Sequence, residues 1–279
     1  MSERRSVYIP VKDHELHVSE WGDPSNPFVM MWHGLARNGR DFDEIAQVLS
    51  KDYFVVCPDT IGRGLSSWSR SDGDDYCMRI YGENAVGILD HYGTGSLRWV
   101  GTSMGALIGV RLAAEALKGR ITHLVINDIG PEIPQDARQR IADYVGSPPD
   151  FDTMIEMEEW LRGSYAPFGN NPDSFWRRMV DNSVRRTDDG RMTVHYDAAI
   201  ASQFTRHKAD FDVWTHYDAI EARTLLIRGG NSDVLPRAVA DDMMQRGPRP
   251  TCVEFADIGH APTFVSADQQ QLLQTFLKS

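Results

Sequence analysis

The chain has 279 residues, 41% hydrophobic and 25% charged, which is ordinary globular composition with enough length for one large core. A net charge of −11 with no basic stripe argues against nucleic acid as a partner, and no apolar run approaches the 18 or so residues of a membrane span. The N-terminal MSERRSVYIP has no signal-like apolar stretch, and Cys57, Cys77 and Cys252 are widely spaced, so the expectation is a cytoplasmic protein with reduced thiols.

In chain order, VYIPV (7–11) and ELHVSEW (15–21) interleave polar and apolar residues as an opening hairpin does. The runs FVMMW (28–32), YFVVC (53–57), LRWVG (97–101), THLVI (122–126), TLLIR (224–228) and CVEFA (252–256) read as strands. Several are continuously apolar, as strands covered on both faces are. Helical patterns fall near 41–50, 76–92, 103–118, 237–246 and 267–278. This alternation predicts an α/β fold with a mostly parallel central sheet flanked by helices.

Between THLVI and TLLIR no convincing strand is visible. Amphipathic patterns at 151–163 and 172–186 stand there instead, separated by turns such as APFGNNP. A connection of that length must carry its own structure, and its aromatic content argues against disorder. The expectation is a helical lid over 131–212, inserted into a core made of 1–130 and 213–279.

Reactive groups gather at the carboxyl ends of the strands in an open parallel sheet. Four such ends carry candidates. Ser103 lies in GTSMG (101–105), between a strand and a small-residue helix, where glycines permit a tight turn. A hydroxyl there can act as a nucleophile if a base and oxyanion donors converge on it. In WHGL (32–35) the backbone N–H of Leu35 is placed to be one donor, with the N–H of Met104 as the other. Asp233 sits in RGGNSDVLP (228–236), and taken alone it reads as a turn residue. His260, in DIGHAP (257–262), follows the last strand.

Ser, Asp and His in this order, each after a strand, resemble the α/β-hydrolase superfamily over nearly the whole chain. HG at 33–34, PDTIGRGLSS at 58–67, GTSMG and NDIGP (127–131) support the match. The GTSMG and HAPTF wording is most similar to bacterial esterases and enol-lactonases. The resemblance implies Ser103 as nucleophile, His260 as base, Asp233 as its orienting acid, and Leu35 with Met104 as the oxyanion hole. Asp128 also ends a predicted strand, and in some α/β-hydrolases the acid stands on that earlier strand, so it is the alternative; it opens DIGP and reads more readily as a turn residue that bonds local amides.

The resemblance further implies a serine hydrolase acting on a small-molecule ester or lactone without cofactor or metal. Serine at 103 excludes the aspartate-nucleophile dehalogenases and epoxide hydrolases of this fold. Ala261 after His260 disfavours the carbon–carbon bond hydrolases, which usually have tryptophan there; these and a ligand-binding protein on the same fold are the alternatives. The expected pocket residues are His33, Trp160, Tyr165, Phe168, Trp176 and Phe204. Arg63, Arg185 and Arg186 read as structural or solvated.

Overall fold

The computed structural model describes residues 3–279. Strands β1 (Arg5–Val11) and β2 (His14–Trp21) form the opening hairpin, followed by β3 (Phe28–Trp32), helix α1 (Asp43–Leu49) and β4 (Phe54–Pro58). Then come α2 (Met78–Tyr92), β5 (Leu97–Thr102), α3 (Met104–Ala114) and β6 (Ile121–Asn127). A long inserted segment carries α4 (Gln135–Gly146), β7 (Asp150–Phe151), α5 (Met154–Ser164), α6 (Asp173–Ser183), β8 (Val184–Arg186), β9 (Met192–Val194), α7 (Gln203–Arg206) and α8 (Trp214–Asp218). The chain closes with β10 (Arg223–Gly229), α9 (Arg237–Gln245), β11 (Thr251–Phe255) and α10 (Ala267–Lys278).

The eight long strands form one sheet in the order β1-β2-β4-β3-β5-β6-β10-β11, antiparallel at the first two pairings and parallel thereafter. Every residue of β3 and β4 is buried, because the period of two sends alternate side chains into different cores. Met30, Trp32, Phe54 and Val56 pack toward α2 and α3, whereas Val29, Met31, Val55 and Cys57 pack against α1 and α10. The Trp32 and Trp99 rings stack at 5.5 Å, and the Trp99 indole N–H donates to the Gly105 carbonyl at 2.9 Å. A Cβ on Gly105 would collide with the Trp32 carbonyl. Glycine at 105 therefore lets α3 sit directly on the end of β3.

The inserted segment departs from the all-helical expectation in carrying a small sheet. Strands β7, β9 and β8 form a small antiparallel sheet, with Phe151 opposite Met192 and Val184 opposite Val194. Its strands are two or three residues long, below the length at which alternation shows in sequence. Residues 184–186 thus continue a helical pattern on paper and leave the helix in space. Helix α4 lies within the expected helical segment, with Ala137, Ile141, Tyr144 and Val145 at helical spacing on its inner face.

Candidate functional site

Ser103 occupies the bend between β5 and α3 with φ 51° and ψ −118°, a backbone conformation that non-glycine residues rarely adopt. The bend is held from below, since the Ser103 N–H donates to the Asn127 carbonyl at 2.9 Å. A Cβ on Gly101 would run into the backbone of Ala106, so only glycine lets the helix fold back this closely. The result is a serine hydroxyl displayed at the head of a helix. The Ser103 Oγ lies 3.0 Å from His260 Nε2, and His260 Nδ1 lies 2.9 Å from Asp128 Oδ2.

The carboxylate that meets His260 is therefore Asp128, not the expected Asp233. Asp128 directly follows β6, is fully buried and has φ 57°. Its other oxygen, Oδ1, accepts the Gly229 N–H at 2.8 Å, and its own N–H donates to the Ile227 carbonyl at 2.8 Å. Both bonds come from the neighbouring strand β10. They fix the carboxylate and leave Oδ2 free for the imidazole.

Asp233 stands at the exposed rim of the cavity that Ser103 and His260 open into, paired away from the imidazole. Ser232 is buried, and its Oγ accepts the N–H groups of Val234 and Leu235, both of which are also buried. With its neighbours pointing inward, Asp233 projects outward and pairs with Arg140 of α4 at 2.5 Å, both side chains being more than half exposed. The residue expected to orient the base instead joins the sheet to the inserted segment.

His33 borders the site from beneath and also orders the turn that follows it. It is completely buried, and burial pushes its pKa down to about 4, so the ring is neutral. The Thr60 N–H donates to Nε2 at 2.9 Å, which leaves the ring proton on Nδ1, donated to the Gly34 carbonyl at 2.7 Å. In a trans peptide the carbonyl and the following N–H point in opposite directions. Holding the Gly34 carbonyl thus turns the Leu35 N–H away from the His33 ring. A Cβ on Gly34 would stand 3.6 Å from Ser103 Cβ, so this turn runs beside the serine. On the other side, the N–H of Met104 belongs to the first turn of α3, where backbone donors have no intrahelical acceptor.

Ser103 and His260 open into a cavity of about 390 Å³, bordered by Leu35, Met104 and, from the inserted segment, Tyr144, Tyr165, Phe168, Phe175 and Phe204. Of the expected pocket residues, His33, Tyr165, Phe168 and Phe204 border it. Trp160 and Trp176 do not. Trp160 packs on Phe151 at 5.6 Å, and Trp176 is buried against Phe175 with the Arg162 guanidinium 5.6 Å from its ring. On α6 it is Phe175, one residue earlier and about 100° around the helix, that faces the cavity. Tyr144 has no assignment from the sequence, Phe175 is one apolar residue among the aromatics of the inserted segment, and Asp128 reads there as a turn residue. Only Asp128, at a strand end, carried a local signal.

A family model described as the alpha/beta hydrolase fold matches residues 27–267. The chain is 37% identical over 277 residues to a 3-hydroxybutyrate-oligomer hydrolase of Cupriavidus necator, covering 96% of this chain and 94% of that one. It is 30% identical over 222 residues to an esterase of Mycobacterium tuberculosis, covering 76% and 68%. Among solved structures, an alpha/beta hydrolase from Novosphingobium aromaticivorans superposes with a TM-score of 0.90 at 31% identity, covering 100% of this chain and 99% of that one.

Proposed function

The chain belongs to the α/β-hydrolase fold family, and from that premise we propose that it cleaves carboxylic esters or lactones through an acyl-enzyme on Ser103. The observation that carries this reading is the unbroken hydrogen-bonded line Ser103–His260–Asp128, at 3.0 and 2.9 Å. His260 Nε2 takes the hydroxyl proton as Oγ attacks the acyl carbonyl. Asp128 keeps the other ring proton on Nδ1 and stabilises the imidazolium that forms. The N–H groups of Leu35 and Met104 receive the oxyanion. His260 then protonates the departing alkoxide. In the second half it takes a proton from the water that attacks the acyl-enzyme, then gives that proton to Ser103 Oγ as the C–Oγ bond breaks and the acid leaves.

The inserted segment 131–212 acts as a lid in this reading. It supplies Tyr165, Phe168, Phe175 and Phe204 to the cavity wall, whereas Ser103, Asp128 and His260 stand on the core, past the ends of β5, β6 and β11. Substrate choice then belongs to the lid and reaction type to the core. The name of the Cupriavidus relative makes short oligomers of 3-hydroxybutyrate, which are themselves esters, the first substrates to test.

The test is a rate screen over esters of graded acyl length, hydroxy-acid oligomers, lactones and vinylogous diketones, run beside Ser103→Ala. Multiple turnover of an ester or lactone, reduced on the order of 10⁶-fold in Ser103→Ala, is the expected outcome. Diketone cleavage with esters untouched would instead make the protein a carbon–carbon bond hydrolase. A single turnover followed by retained product would make it a binding protein.

A further inference from the structure

Arg63 is completely buried, yet among the described residues no carboxylate lies within ion-pair distance of it. Burying a guanidinium without a counter-ion is costly unless its donors are used and something nearby benefits from the charge. All three of its nitrogens are used, and four of the five N–H donors have an acceptor. Nε donates to the Leu35 carbonyl at 2.8 Å, Nη1 to the Ile61 carbonyl at 2.8 Å and to the Tyr81 hydroxyl at 2.9 Å, and Nη2 to the Met104 sulfur at 3.6 Å. The rings of Tyr76 and Tyr81 lie 5.5 and 5.1 Å from the cation.

Two of those acceptors belong to the residues whose N–H groups are the oxyanion donors, and they come from opposite sides of the site. Leu35 follows β3 and Met104 follows β5 at the head of α3; the pairing of those strands and the close approach at Gly34 and Gly105 bring the two turns together. Arg63 adds a tie between them, its planar fork reaching the Leu35 carbonyl on one side and the Met104 side chain on the other. The same residue is tied to the inserted segment. The N–H of Gly64 donates to the His195 carbonyl at 2.9 Å, and the N–H of Asp197 donates to the Gly62 carbonyl at 2.8 Å. The hydroxyl of Tyr76 donates to Asp197 at 2.6 Å, and that of Tyr81 to Gln203 at 3.4 Å.

We propose that Arg63 is a positioning residue for the oxyanion site: it braces the Leu35 turn against Met104, adds positive charge behind them, and couples that brace to how the inserted segment is seated. This rests on the serine-hydrolase reading above. It differs from a packing role in what it affects, because a group that shapes the oxyanion site acts on the tetrahedral state and leaves ground-state binding alone.

The experiment measures kcat and KM for p-nitrophenyl butyrate and the inhibition constant of butylboronic acid, which adds to Ser103 Oγ and places an anionic oxygen in the oxyanion site. Arg63→Lys keeps the charge but loses the fork, and Arg63→Met loses both. In each, kcat is expected to fall roughly 10- to 100-fold and the boronate to bind weaker by a similar factor, with KM within about threefold of wild type. Tyr81→Phe, which removes one anchor, is expected to show the same pattern at about 3- to 10-fold, and it decides the matter if both Arg63 variants fail to fold. Folded variants whose kcat and boronate affinity match wild type overturn the proposal, as does a rise in KM with kcat unchanged. A wild-type protein that does not bind the boronate overturns the nucleophile reading and this proposal with it; normal wild-type binding with undisturbed variants overturns this proposal alone.

Discussion

The ends of β6 and β10 lie side by side in the sheet, each followed by an aspartate, and only one of those aspartates reaches the histidine. At β6 the aspartate is the first residue past the strand, so the neighbouring strand's last N–H, from Gly229, and the Ile227 carbonyl fasten it before it can turn outward. At β10 the aspartate comes four residues later, after the chain has buried Ser232 and before it buries Val234 and Leu235. Its side chain is left on the solvent side with Arg140. A carboxylate is selected here by the backbone donors within its reach and by the direction its neighbours leave for it. Loop flexibility, which favours Asp233 on paper, selects nothing.

The largest expected effect that separates the two ends is Asp128→Asn. The amide keeps the shape and favours the wrong imidazole tautomer, so the rate of ester hydrolysis should fall by about 10⁴ with the fold intact by circular dichroism. A loss of less than tenfold would remove Asp128 from the reaction. Next comes Gly229→Val. Its side chain would meet the Gly259 carbonyl and push apart the strand end that holds Asp128 and the loop that holds His260. We expect a melting temperature several degrees lower and kcat reduced roughly 10- to 100-fold. An unchanged kcat would show that the Gly229 N–H is dispensable.

A third strand end extends the comparison to acid stability. His33 after β3 is held neutral by burial, with a folded pKa of about 4 against 6.5 for the free side chain. Above pH 6.5 both folded and unfolded forms are neutral and its contribution is complete. Between 6.5 and 4 only the unfolded form takes the proton, so stability falls with pH by up to roughly 3 kcal/mol at this residue, and it stops falling below 4. Imidazole nitrogen shifts should therefore show His33 as the Nδ1–H tautomer with no titration above pH 5, and a midpoint near 6.5 would contradict the burial described. The smallest effect belongs to Asp233→Asn, which breaks an exposed ion pair worth about 0–1 kcal/mol. Its activity should stay within about threefold of wild type.

What was legible in the sequence follows the range of the forces involved. Strands β3, β4, β5, β6 and β10 were legible because burial on both faces writes a continuous apolar run, as in FVMMW and FVVCP. The Ser103 bend was legible because close approach of α3 to the sheet demands glycine at 101 and 105. The choice between Asp128 and Asp233 was not, since it turns on a hydrogen bond spanning 101 residues and on which side chains of the 230–235 loop are buried. Nor was the face of α6, because Phe175 and Trp176 are equally apolar neighbours and periodicity alone does not say which of two buried faces meets the cavity. Arg63 read as structural for a similar reason: its partners at 35, 81 and 104 are distant in sequence, and no local pattern brings them together.

The central claim, that Ser103 is driven by His260 under the control of Asp128, is tested most directly by the rate at which a serine-directed phosphonate labels the protein, followed by intact mass. Wild type and Asp233→Asn should acquire one adduct on Ser103 at matching rates, and Asp128→Asn should label on the order of 10³- to 10⁴-fold more slowly. Rapid labelling of Asp128→Asn beside a slow Asp233→Asn, or an adduct away from Ser103, would contradict it.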